Sequence, residues 1–155
     1  MYDHTGTVLK IIGGGNQKPE LEAEIAAQGL ETGVILTGAM EHDNVLQEMK
    51  KSIFYAMTSF TEGFPFVLIE AMSQGLPAIA YDVRVGPRAI ITHGENGFLI
   101  PDEDEAAFVS AAADIITNTE QRAAMSQAAL LQANAFSEAV IMEKWEAIFR
   151  SVLKE

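Results

Sequence analysis

The sequence of 155 residues carries 22 acidic and 10 basic side chains, a formal charge of −12, and no cysteine. The missing cysteine excludes disulfides, thiolate metal sites and a cysteine nucleophile. The acidic balance argues against nucleic acid and anionic membrane surfaces as partners, because both are held by clustered Lys and Arg.

Hydrophobic residues make up 48% of the chain, too large a share for a disordered segment of this charge. Residues 1–155 read as one ordinary domain. A chain this long buries roughly 68–70% of its unfolded surface and needs no staples. No window approaches about 18 uninterrupted apolar residues, the length of a membrane span. The opening Met1-Tyr2-Asp3-His4-Thr5-Gly6 lacks the basic start and apolar core of a signal peptide. The cytoplasm is therefore the expected location of a chain that starts at Met1.

The first apolar run, Thr7 to Ile12, ends at Gly13-Gly14-Gly15 and reads as a buried strand followed by a loop. Pro19 suits the first turn of a helix. Leu21, Ile25 and Leu30 follow at helical spacing, and Gly29 marks the helix end. Val34 to Gly38 is a second strand, and a helical pattern runs from about Val45 to Lys51. Ile53 to Met57 is a third strand. Phe66 to Gln74 is helical, with Pro65 at its start and Gly75 at its end. Pro77 to Tyr81 is a fourth strand, Pro87 to about Thr92 a short helix, and Gly97 to Ile100 a fifth strand. This alternation predicts an α/β fold, a Rossmann-like parallel sheet with helices on both faces. Such sheets bind ligands beyond the carboxyl ends of their strands. The loops at Gly13–Asn16, Gly38–Asp43, Thr58–Phe66 and Asp82–Pro87 lie there.

Beyond Pro101 the chain turns helical. Asp102-Glu103-Asp104-Glu105 reads as the first turn of a helix to about Asn118, where carboxylates suit the helix dipole. A second helix spans about Glu120 to Ala133. Ser137 is a good N-cap for a last helix reaching Lys154. Ile141, Trp145, Ile148 and Val152 form an apolar stripe on it, with Trp145 expected as a packing anchor.

The glycine run matches neither common nucleotide fingerprint. Lys18 stands where the dinucleotide motif needs a third glycine, and no Gly-Lys-Ser or Gly-Lys-Thr ending completes a P-loop. Three glycines still allow backbone to approach a ligand, or simply make a tight turn. The segment from Ser59 to Met72 is richer. Gly63 permits an unusual turn, and Pro65 needs no donor in a first helical turn. The free N–H groups of Phe66, Val67 and Leu68 would then form an anion site suited to a diphosphate. Glu62 and Glu70, as ionised acceptors, suit sugar hydroxyls. A carboxylate flanked by Ile69 and Ala71 also calls for a partner. From the residues alone, Glu62 capping the helix and Glu70 on its exposed side is an equal alternative.

The histidines are scattered at positions 4, 42 and 93. His42 lies between Glu41 and Asp43, but adjacent residues point different ways and do not converge on a metal. A solvent-facing loop is expected there, and the end of a short helix at His93.

Glu62-x7-Glu70, followed by Ala71-Met72-x-x-Gly75-Leu76-Pro77, resembles the signature of the retaining glycosyltransferases of family 4, which have the GT-B fold. Gly13-Gly14-Gly15, Gly33 to Gly38, Asn96-Gly97-Phe98-Leu99-Ile100 and the ending from Phe136-Ser137 extend the resemblance over about residues 7 to 150. Tyr81-Asp82-Val83-Arg84-x-Gly86-Pro87 and Glu95-Asn96-Gly97 further resemble the branch that glycosylates wall polymers such as poly(glycerol phosphate).

The resemblance implies a donor-binding role. Glu62 and Glu70 would be the catalytic pair, Glu62 contacting the hydroxyls of the donor sugar and Glu70 holding the ribose of a nucleotide diphosphate. Backbone at Gly63, Phe64, Pro65, Phe66 and Val67 would approach sugar and diphosphate, with Gly13, Gly14 and Gly15 near the phosphates. A UDP-sugar is the favoured donor; neither a metal nor another cofactor is expected. Arg84 and Arg88 are the nearest basic residues, with Arg84 a candidate contact to phosphate or an anionic acceptor.

Family enzymes have two Rossmann-like domains. This chain resembles most of the second, without its first strand and helix, and with C-terminal helices. The missing acceptor domain, or a partner chain in its place, is therefore an expected partner, and no turnover is expected of this chain alone. Ala89 replaces a Glu found in many relatives. An open sheet edge and uncovered apolar surface would favour a homodimer. The alternative reading is a non-catalytic nucleotide-sugar-binding or assembly module. An acidic signalling domain is a poor third, since only Asp82 is placed as a phosphoacceptor.

Overall fold

The computed structural model describes residues 6–153, so His4 and the expected helix end at Lys154 lie outside the described residues. The strands are β1 (Leu9–Ile12), β2 (Val34–Gly38), β3 (Tyr55–Met57), β4 (Ala78–Tyr81) and β5 (Gly97–Ile100). The α-helices are α1 (Lys18–Ala27), α2 (His42–Lys50), α3 (Phe66–Ser73), α4 (Glu105–Thr117), α5 (Thr119–Ala135) and α6 (Glu138–Val152). Every strand pair is parallel, in a two-stranded sheet β1-β2 and a three-stranded sheet β3-β4-β5. The chain divides into two compact units, Met1–Glu48 and Met49–Glu155.

In the first unit β1 and β2 run side by side, Leu9 opposite Val34 and Ile11 opposite Leu36, with a register shift at Ile12. Pro19 falls in the first turn of α1, as expected from its missing N–H. The expectation of a buried first strand is overturned. Leu9 is 48% exposed and Ile11 37% exposed, and α1 has no buried residue. A two-stranded sheet with α1 and the start of α2 gives these side chains no closed apolar layer within the unit. The helix α2 begins at His42 rather than near Val45, so His42 is an exposed first-turn residue and not part of a loop.

The second unit has a closed core. Strand β4 lies between β3 and β5, and its side chains alternate between two apolar clusters as the period of two demands. Ala78 and Ala80 face Leu68 and Met72 of α3 and Ala129 and Ala133 of α5. Ile79 faces Ala111, Ala112 and Ile115 of α4 and Met125 of α5. Helices thus cover both faces of this sheet. Each fully buried Leu, Ile or Met contributes about 1.5–3 kcal/mol.

Helix α3 ends as its sequence foretells. Gly75 takes φ +77°, its N–H donates to Met72 O (2.9 Å), and Leu76 N–H donates to Ala71 O (3.1 Å). This is a Schellman closure, which favours glycine at the left-handed position.

Several expectations beyond β4 are corrected. Asp102 and Glu103 precede α4, Asp104 caps it by accepting the Ala107 N–H at 2.9 Å, and only Glu105 lies in the first turn. A carboxylate that takes an amide hydrogen bond sets the start of a helix. The short helix is one 3₁₀ turn, Pro87–Ala89. Beyond it the Asn96 side chain holds the chain, and His93 bridges to Gly97 instead of ending a helix. Ser137 occupies the cap position of α6, but its side chain makes no capping bond. Trp145 is 50% exposed and stacks on Phe149 at 5.6 Å. It is no packing anchor among the described residues, and the stripe through Ile148 and Val152 is exposed with it.

Candidate functional site

The glycine loop of the first unit is pinned at its ends. Gly13 N–H donates to Gly38 O at 3.0 Å, and Lys18 N–H donates to Gly15 O at 3.3 Å. A Cβ at Gly13 or Gly15 would meet nothing within 4 Å, and one at Gly14 would touch only Ala39, at 3.9 Å. Packing therefore does not explain three glycines here, and the backbone is open to close approach.

In the second unit the segment 58–65 leaves the carboxyl end of β3 and enters α3, where the parallel sheet places ligand loops. Pro65 is buried and is the N-cap residue. The expected trio of free amides is reduced. Phe66 N–H donates to Phe64 O at 2.9 Å and Leu68 N–H to Pro65 O at 3.0 Å. The Val67 N–H has no acceptor among the described residues. The tight entry at Pro65 consumes the other two donors in short-range bonds. Phe64 and Phe66 meet edge to face at 5.2 Å, and Phe64 also meets Phe136 at 5.7 Å. Phe66 is 68% exposed.

Glu62 and Glu70 are both half-buried, Glu62 in the loop and Glu70 two-thirds along α3. Glu70 was expected to have a partner, but neither carboxylate accepts a hydrogen bond from another described residue. The charges of both bear on Tyr55. Burial raises the Tyr55 phenol above its ordinary value, and the charges of Glu62 and then Glu70 raise it further. Negative charge disfavours phenolate, so both carboxylates lie within electrostatic reach of one hydroxyl. In the sequence Tyr55 stands out only as a residue of the third strand. An aromatic in an apolar strand looks like core, and nothing in the pattern marks it out.

The loop 82–87 closes against this segment. Gly86 has φ +104°, and a Cβ on it would lie 2.8 Å from Pro65 Cδ, 3.1 Å from Gly63 O and 3.2 Å from Glu62 Cβ. Arg88 pairs with Asp82 through both ends of its guanidinium, Nε to Oδ1 and Nη2 to Oδ2 at 2.7 Å. That bond holds the Arg88 guanidinium above its ordinary value. Arg88 is thereby committed within the protein, whereas Arg84 is exposed with no partner among the described residues. A recess of about 360 Å³ lined by Lys50, Gln74, Pro77, Thr119 and Arg122 opens at the other end of the strands and contains none of these residues. Among the described residues no three of His, Asp and Glu group as metal ligands, and no helix is long and apolar enough to cross a membrane.

Residues 2–132 match the family of group 1 glycosyl transferases. An exopolysaccharide phosphotransferase of Streptomyces coelicolor is 33% identical over 97% of this chain and 16% of its own length. A poly(glycerol-phosphate) alpha-glucosyltransferase of Bacillus subtilis is 29% identical over 88% of this chain and 20% of its own length. The pneumococcal O-GlcNAc transferase GtfA, solved in complex with UDP and GlcNAc, superposes with a TM-score of 0.79 at 28% identity, over 96% of this chain and 30% of that one. The chain thus spans well under half the length of these relatives. With its parallel strands, covered sheet and carboxylate-bearing loop, the chain belongs to the group 1 glycosyl transferases and forms part of a GT-B half-domain.

Proposed function

We propose that this chain is the donor-binding portion of a retaining glycosyltransferase of family 4 and takes a nucleotide diphosphate sugar, with UDP-sugars favoured. The observation that carries the reading is the pair Glu62 and Glu70. Neither carboxylate takes a hydrogen bond from another described residue, the charges of both bear on Tyr55, and Glu62 stands before α3 while Glu70 lies within it. Glu70 would accept from the ribose hydroxyls and Glu62 from hydroxyls of the donor sugar. The Val67 amide and the positive end of α3 would meet the diphosphate. The exposed ring of Phe66 lies beside that amide. Arg84, uncommitted to any described residue, would approach phosphate or an anionic acceptor.

Transfer in the whole protein would rest on positioning of the donor and electrostatic support of the departing diphosphate. The acceptor would be a hydroxyl in glycan or cell-envelope polymer synthesis. The UDP and GlcNAc named with the GtfA structure and the glucosyl transfer named for the Bacillus relative support this class of donor. Acceptor-binding parts would come from a further domain or partner chain in the cytoplasm. The exposed stripe on α6 and the exposed β1 side chains are surfaces such parts would cover. Residues 1–155 alone would then bind donor without turnover.

Ligand-observed NMR with UDP, GDP, CDP and NAD, on the chain and on Glu70→Ala, tests the reading. It detects millimolar binding, about −4 kcal/mol. Binding of UDP that disappears in a folded Glu70→Ala is the expected result. Selective NAD binding, or UDP binding indifferent to Glu70, overturns it.

A further inference from the structure

We infer that Gly86 and the Asp82–Arg88 pair form a seat that positions Glu62. The inference rests on the donor-site reading for its functional consequence and on the contacts at Gly86 for its geometry. Glu62 stands in a loop and makes no hydrogen bond to a described residue, so its position must be imposed by packing. The surface it packs on is Gly86. The space for a Cβ there is already taken by Pro65 Cδ at 2.8 Å, Gly63 O at 3.1 Å and Glu62 Cβ at 3.2 Å. Two of those three neighbours are backbone or ring atoms that cannot swing aside. The φ of +104° independently demands glycine.

The seat is itself fixed. Asp82 follows β4 directly, Arg88 sits in the 3₁₀ turn, and their bidentate pair spans the loop that carries Gly86. A planar fork on a carboxylate sets orientation as well as distance. Ala89 N–H donates to Gly86 O at 3.0 Å, tying the glycine to the same turn. The contacts thus run from the end of β4 through Asp82, Arg88 and Gly86 to Glu62. None of these three residues needs to touch the donor; they are positioning residues.

The consequence is selective. Displacing Glu62 costs contact with the sugar, while the ribose is held from Glu70, one helix turn and more into α3. Saturation-transfer NMR on the full chain reads the two halves of one ligand separately, using UDP, UDP-glucose and UDP-N-acetylglucosamine. In Gly86→Ala, transfer to the sugar protons should fall at least five-fold relative to the uracil protons. Asp82→Asn and Arg88→Gln should produce the same selective loss, more weakly, and the exchange Asp82→Arg with Arg88→Asp should restore it. Equal losses on sugar and uracil, or no change on either, overturn the seat. Should the wild-type chain take no nucleotide, the donor reading falls, and the seat is judged on amide shifts. Gly86→Ala and Asp82→Asn must then both move the Glu62 and Gly63 resonances. Unmoved resonances there overturn it.

Discussion

A Cβ on Gly97 would lie 2.2 Å from the carbonyl oxygen of Ala78 and 3.0 Å from its nitrogen. These are the paired first residues of β5 and β4, so strand pairing itself occupies the space a side chain would need. Gly97→Ala must push β5 away from the central strand of the core. The expected loss is about 3 kcal/mol or more, at the upper end of overpacking costs because the obstructing atoms are backbone. Urea unfolding of the variant checks this; a loss under about 1 kcal/mol means the strands separate without strain.

Asn96 is the buried polar side chain next to that glycine, at 3% exposure. Its Oδ1 accepts the Thr92 N–H at 2.9 Å and its Nδ2 donates to Ile90 O at 3.2 Å. Asn96→Ala strands both backbone groups, at a cost of about 2–4 kcal/mol from two unsatisfied partners. Asn96→Asp keeps the acceptor but loses the donor and buries a charge. Its stability should therefore improve as the pH is lowered and the new carboxyl protonates. Chemical unfolding at neutral and acidic pH separates the two variants, with Asn96→Asp gaining on Asn96→Ala in acid.

The Asn-Gly segment was legible as a family signature, but its reasons were not. Neither the Asn96 bridge nor the approach of Gly97 to Ala78 is local in sequence. Strand and helix identities were readable because β4 is a short continuous apolar run, while α3 is bracketed by Pro65 and by Gly75, which closes it by a local rule. The exposure of β1 and of Trp145 was not readable, since an apolar run declares what should be covered and not whether anything covers it. Glu62 and Glu70 were legible as a spaced pair. Tyr55, which lies within reach of both, and Gly86, which seats one of them, came only from the folding of distant segments onto each other.

Tyr55 carries a pH signature. Its phenol is raised above the ordinary value of 10.0, first by burial, then by Glu62 and Glu70. A folded-state pKa above the unfolded one means the native chain retains a proton the unfolded chain gives up. The associated stability is fully present below about pH 10 and is lost as the pH rises toward the folded value. Tyr55→Phe should therefore lose less stability than the wild type on going from neutral to strongly alkaline pH. Tyr81 is also raised, by burial and by Glu105 and other acids, and contributes equally to both proteins. Phenolate absorbance gives a second check. Glu62→Gln and Glu70→Gln should each lower the Tyr55 midpoint, and an unmoved midpoint in both would remove Tyr55 from the neighbourhood of the pair.

Arg84 and Arg88 make opposite predictions although they are four residues apart. Arg88 is committed to Asp82, and losing it frees the loop that carries Gly86. Arg84 is exposed and unpartnered among the described residues, so Arg84→Gln should change stability by less than about 0.5 kcal/mol. Under the donor-site reading its charge serves phosphate, and an exposed cation next to a diphosphate acts through screened electrostatics. UDP affinity of Arg84→Gln should fall about three- to ten-fold at low salt, on the order of 1 kcal/mol, and the difference from wild type should shrink as salt is added. Titration of UDP at two ionic strengths reads this directly. Equal UDP affinity at low salt would remove Arg84 from the phosphate site and leave the acceptor as its only proposed ligand.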